Sequence, residues 1–110
     1  MEIRTESRDG VVMLRPDGDL TLAHQDEIKQ AFGGLASDTA AKVAIDMSAV
    51  GFVDSGGLGM LLWAKKQLHT TGGELRLFGL TERVREVFDI TRLEKALDVF
   101  TTEADALEGF

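Results

Sequence analysis

The chain of 110 residues contains no cysteine. Neither a disulfide framework nor a thiolate metal site can be built from it. No apolar run approaches the roughly 20 residues needed to span a bilayer, so no membrane insertion is expected. The first ten residues, MEIRTESRDG, are charged and lack the apolar centre of a secretory signal; a cytoplasmic location is the expectation. Positive charge is scarce. Twelve Lys and Arg stand against 19 Asp and Glu, a net charge of −7. Phosphate-backbone binding depends on Lys and Arg contacts, so nucleic acid is not expected as a direct partner. The acidic surplus suits solubility, with a protein partner as a second use.

Catalytic signatures are missing as well. His24 and His69 are the only histidines and belong to no metal-ligand spacing; both read as solvated helix residues. A nucleophile elbow needs Gly two residues before the serine, and before Ser55 that position is Val53. At Gly57, GLGMLL matches two-thirds of a dinucleotide fingerprint, but Leu62 stands where the third glycine belongs. No Gly-Lys-Ser/Thr ends a phosphate loop. The many carboxylates read as charged surface. No catalytic residue, metal site or cofactor is expected, and the chain is not read as an enzyme.

What is present is 44% hydrophobic, a globular composition, in a length that suits one domain over residues 1–110. EIRTES and VVMLRP flank Asp9-Gly10, a hairpin signal. Pro16-Asp17-Gly18 follows as punctuation. From Ala23 to Leu35, Ile28, Phe32 and Leu35 recur at helical spacing, with Gly33-Gly34 weakening the end. KVAIDM reads as a strand, turning at Ser48. Leu58, Leu61, Leu62 and Leu68 form a helical stripe closed by Gly72-Gly73, a C-cap signal. ELRLFG is a strand, and Val84, Val87 and Phe88 mark a helix from about Thr81. ALDVF is a last strand and TEADALEGF a last turn or two of helix. The order β-β-α-β-α-β-α-β-α predicts an α/β layer fold with a mixed sheet, mostly parallel, with an antiparallel N-terminal hairpin at one side.

Between a strand and a helix lies DSGGLG, residues 54–59. Each glycine costs a helix about 1 kcal/mol relative to alanine. Asp54 or Ser55 can cap the first turn. The glycines leave bare amides at the positive end of the helix dipole, where an anion can sit, or they let another backbone approach closely. A reachable, modifiable serine and simple close packing are both open on these residues alone. On the helical wheel Leu61, Ala64 and Leu68 face inward. Trp63 falls on the other side with Gly59, Lys66 and Gln67, either as a binding anchor or folded over a neighbouring loop.

From Lys42 to Phe100 the chain resembles the STAS domain family, in particular bacterial anti-sigma-factor antagonists. The likeness rests on a strand ending in Asp46, on Val50 and Phe52 before Asp54-Ser55-x-Gly-Leu-Gly, and on VREVFDITRLEKALDVF. Upstream, Gly18-Asp19-Leu20 resembles the family's Gly-x-Leu. The resemblance implies a single small α/β domain with helices largely packed on one face of the sheet, and that Ser55 is the phosphoacceptor, supported by Asp54, Gly56 and Gly57, with Asp54 capping the helix or orienting the hydroxyl. It implies partner binding through Thr21, Ser55, Gly56, Leu58, Gly59, Met60 and Trp63. The implied partners are an anti-sigma factor that is a serine/threonine kinase of the histidine-kinase-like ATPase type, and a PP2C-type phosphatase. Unphosphorylated, such an antagonist holds the anti-sigma factor and frees a sigma factor. Two positions depart from the family: Gly56 stands where Ser, Thr or Ala is frequent, and Thr21 where Asp is frequent. The rival readings are a non-switching STAS scaffold or membrane-transport-associated module, and a small enzyme or nucleotide binder.

Overall fold

The computed structural model describes residues 1–36 and 40–110. Strands β1 (Glu2–Arg8) and β2 (Val11–Asp17) form the expected hairpin. Its turn takes positive φ at both Asp9 (52°) and Gly10 (80°), the geometry whose twist matches paired strands. A 3-10 turn (Leu22–His24) leads into helix α1 (Gln25–Ala36). The helix runs through Gly33-Gly34 instead of fading there. Next come β3 (Lys42–Asp46), α2 (Ser55–Thr70), β4 (Glu74–Phe78) and α3 (Glu82–Thr91). A 3-10 turn (Leu93–Lys95), β5 (Asp98–Phe100) and α4 (Glu103–Leu107) close the chain.

The five strands lie in chain order. β1 runs antiparallel to β2, and β2 through β5 are parallel, because each parallel step carries a helix in its crossover. The mixed sheet and helix order match the sequence expectation.

Strand alternation sorts the side chains onto two faces. On the front, Leu14, Val43, Ile45, Leu75 and Leu77 meet Ile28 and Phe32 of α1, Leu61, Ala64 and Leu68 of α2, and Val84 and Phe88 of α3. Leu62 departs from the expected stripe: it is exposed, because it follows Leu61 by one residue and so turns about 100° away. The α2 helix ends as the glycines predict. Gly73 N–H donates to Leu68 O at 2.8 Å, and Gly72 takes φ 80°.

On the back, Val11, Met13, Ala44 and Phe78 pack beneath Ala106 of α4, with Phe100, Leu107 and Phe110 at the margin. Here charge supplements a small apolar cluster. Arg15 donates to Asp46 at 2.7 Å, to Glu103 at 2.8 Å and to Glu6 at 3.2 Å, and Arg8 donates to Glu103 at 2.7 Å. Arg76 donates to the carbonyls of Ala106 and Glu108 and lies 4.3 Å from the centre of the Phe110 ring. The hydrogen bond to Glu103 chiefly holds Arg15 above its usual range; burial works against it, and Asp46 and Glu6 add to it. Burial alone would push the Asp46 carboxyl up. Hydrogen bonds from Ser48, then from Arg15, outweigh it and hold the group below the usual carboxylate value.

Candidate functional site

Ser55 is the first residue of α2 and is exposed. The loop that delivers it, 47–54, is tied at every stage. Met47 N–H donates to Phe78 O at 2.9 Å, and Ser48 N–H to the Asp46 carboxylate at 2.9 Å. The Thr81 hydroxyl, which also caps α3, donates to Val50 O at 3.1 Å. On the other side, Leu20 N–H donates to Phe52 O at 3.0 Å and Asp54 N–H to Leu20 O at 3.2 Å. Leu20 and Val53 thereby form a short parallel bridge beyond the ends of β2 and β3. Ser55 therefore sits at the carboxyl end of the parallel strands, where open α/β sheets present their sites.

Asp54 is the N-cap of α2. One carboxylate oxygen accepts Gly57 N–H at 2.8 Å and the other accepts Leu22 N–H at 3.3 Å. The side chain thus caps one helix and holds the 3-10 turn against it, the second task being invisible from local sequence. Val53 is buried and anchors the segment from below.

The three glycines divide by role. A Cβ on Gly57 would lie 2.1 Å from Leu20 O, so that glycine is required by backbone packing. On Gly56 it would lie 3.0 Å from Leu22 Cβ and 3.2 Å from Leu22 Cα. On Gly59 it would meet nothing within 4 Å. Close packing accounts for Gly57 and much of Gly56; it does not account for Gly59.

The residues expected to meet a partner also divide. Thr21 precedes the 3-10 turn and is half-buried; its side chain makes no capping hydrogen bond, while its carbonyl accepts His24 N–H at 2.9 Å. Leu58 and Met60 belong to the core at 9% and 5% exposure, so they have little surface to offer. Met60 still reaches the floor of a shallow groove of about 210 Å³ between α1 and α2. Leu22, Gln25, Lys29, Gly56, Gly59 and Trp63 line the rest of it. Trp63 leans on α1: its ring meets Phe32 edge-on at 6.5 Å, and Lys29 Nζ lies 5.8 Å from its centre.

Two contacts of the segment that carries Ser55 have little or no signal in the sequence. Leu22 is 63% exposed, and its only sequence signal is a leucine beside Thr21 outside the α1 stripe. Arg83 of α3 stacks over Phe52 at 4.7 Å, a contact between distant segments that no local pattern announces. His24 Nδ1 lies 2.8 Å from Asp19 O within its own loop. Among the described residues no helix is long and apolar enough to cross a membrane, and no group of three or more His, Asp or Glu is placed to hold a metal ion.

Comparison with known proteins agrees with this architecture. Residues 2–106 match the family model of the STAS domain. An anti-sigma-B factor antagonist of Staphylococcus aureus is 24% identical over 99 residues, spanning 90% of this chain and 92% of that protein. The crystal structure of an anti-sigma factor antagonist from Mycobacterium paratuberculosis superposes with a TM-score of 0.85 at 27% identity, covering 96% of this chain and 90% of that one. The Bacillus cell fate determinant SpoIIAA, solved in its phosphorylated form, shares the fold with a TM-score of 0.71 at 21% identity, 97% of each chain being covered.

Proposed function

The chain belongs to the STAS domain family, and on that premise we propose that it is a cytoplasmic anti-sigma factor antagonist switched by phosphorylation of Ser55. The observation that carries this reading is the placement of Ser55: exposed, first in α2, on a loop pinned from both sides and capped by Asp54. The Bacillus relative known in a phosphorylated form supports the modification. The named relatives support an anti-sigma factor as the partner. That partner is a histidine-kinase-like serine/threonine kinase, and a PP2C-type phosphatase resets the switch. The whole described chain acts as one binding module and carries no catalytic group.

A phosphoserine bears about −1.5 to −2 charges at neutral pH. At the start of α2 that charge faces the positive end of the helix dipole, where the amides of Ser55 and Gly56 precede both the first ladder bond, Leu58 N–H to Asp54 O, and the Gly57 amide that Asp54 caps. The fold therefore tolerates it, and the effect falls on the docked partner. There the phosphate adds bulk and repulsion beside the Asp54 carboxylate. About 1.4 kcal/mol corresponds to tenfold in affinity, and a charge desolvated across an interface costs more than that. The docking surface comprises Thr21, Leu22, Ser55, Gly56, Gly59 and Trp63, with the margins of Leu58 and Met60.

The test is incubation with ATP and each such kinase of the same genome, with mass spectrometry to locate the phosphate. Phosphate is expected on Ser55 and on nothing in Ser55→Ala. Ser55→Asp should bind the modifying kinase at least about tenfold more weakly than wild type. Equal binding of Ser55→Asp, or no modification by any of these kinases, would overturn the reading.

A further inference from the structure

Among the described residues β1 is the edge of the sheet and pairs only with β2. From Arg4 to Arg8 every residue is exposed. Natural edges are blunted with charge to prevent such strands from pairing with other chains. The charges here follow a more specific pattern. Glu2, Arg4, Glu6 and Arg8 alternate in sign along one face of the strand, with Ile3, Thr5 and Ser7 on the other.

The hairpin decides which backbone groups are free. Arg8 and Val11 flank the two-residue turn and so form a hydrogen-bonded pair. Even-numbered residues of β1 thus direct their N–H and C=O toward β2, while Ile3, Thr5 and Ser7 direct theirs outward. The hairpin also places like charges opposite each other: Glu2 against Asp17 and Arg4 against Arg15, an arrangement that destabilises a strand pair. Among the described residues, Glu2 and Arg4 have no ion-pair partner.

We propose that the free edge of β1 is a self-complementary interface that pairs antiparallel with β1 of a second copy of this chain, about a two-fold axis at Thr5. In that register Thr5 meets Thr5 and Ile3 meets Ser7 as hydrogen-bonded pairs, using the outward amides. Glu2 then faces Arg8 of the second copy, and Arg4 faces Glu6, as non-hydrogen-bonded pairs about 4.5 Å apart at Cα. Every charge meets its opposite, and Glu2 and Arg4 each gain the partner that the hairpin denies them. The register is selective. A slip by two residues sets Arg4 against Arg4 and Glu2 against Glu6, or Glu6 against Glu6 and Arg4 against Arg8. In-register parallel pairing sets like on like throughout. The contact is isologous, so it closes at a dimer with no free β1 edge. It lies two strands from β3 and leaves Ser55 uncovered.

Sedimentation velocity of the full chain at about 10 mM and about 500 mM salt tests this, since screening weakens such pairs. Wild type should dimerise at low salt and dissociate more readily at high salt. Arg4→Glu and Glu6→Lys should each weaken self-association about tenfold or more. Mixed, the two variants should form a heterodimer of near wild-type affinity, because each strand then meets only opposite charge. Glu6 also holds Arg15, so Arg4→Glu is the cleaner arm, with circular dichroism confirming the fold of both. Thr5→Pro removes an outward amide without touching the β1–β2 ladder and should abolish the dimer. Wild type that stays monomeric at about 1 mM protein in low salt would overturn the proposal. So would single variants that associate like wild type, or a mixture that stays monomeric.

Discussion

Three helices close the front of the sheet over a continuous apolar core, whereas the five-residue α4 closes the back over a small cluster ringed by Arg15, Arg8, Glu103 and Arg76. A long amphipathic helix buries enough apolar area to hold itself down, at about 25 cal/mol per Å². A helix of one turn does not, and directed hydrogen bonds fix its position instead. The site grows from both constructions. α2 carries Ser55 on the apolar side, while Asp46, held by Arg15 on the charged side, anchors the start of the loop that reaches it.

The contrast breaks most readily at Phe88, 1% exposed in the front core. Phe88→Ala should cost about 3–5 kcal/mol, read as a shift of the urea midpoint; a loss near 1 kcal/mol would mean that the front core collapses around the cavity and does not hold by continuous packing. Gly57→Ala comes next, at about 3 kcal/mol, the upper range for overpacking, because its new Cβ would enter the Leu20 carbonyl. An unchanged urea midpoint would refute the close approach.

Arg15→Met should cost about 2 kcal/mol, from hydrogen bonds to charged groups, and should loosen α4 first, seen as faster amide exchange in 103–107 than in α2. Uniform loosening would contradict the division between faces. Acid separates the faces too. The Asp46 carboxyl is depressed in the folded protein, so the unfolded chain binds more protons as pH falls below about 4. Its contribution is full above that pH and is lost as pH drops through the folded value. Asp46→Asn should flatten this acid limb, and an unaltered limb would remove Asp46 from the explanation. The smallest effect belongs to Gly59→Ala, which should stabilise by up to about 1 kcal/mol on helix propensity, since its Cβ finds open space. A loss of stability there would show a packing role that the geometry lacks.

Most elements were legible in the sequence, since alternation in KVAIDM and ELRLFG, the Asp9-Gly10 turn and the Gly72-Gly73 stop are local signals. Leu62 misled because a leucine run in a helix must wrap beyond one face. Trp63 stayed undecided because only its contact with Phe32 shows that it leans on α1. The Arg15 network was hidden for a different reason: its partners are 9, 31 and 88 residues away, and no periodicity records such distances.

By itself the sequence determined the order of strands and helices, the capped start of α2 at Asp54-Ser55, and the alternating charges of β1, since each depends on neighbours a few residues apart. Tertiary structure alone decided what those features do. It gave Asp54 its second bond, to Leu22. It made Gly57 a packing necessity and left Gly59 open, and it placed β1 at an unpaired edge. These outcomes depend on which distant backbone comes to lie alongside, which only the assembled fold sets.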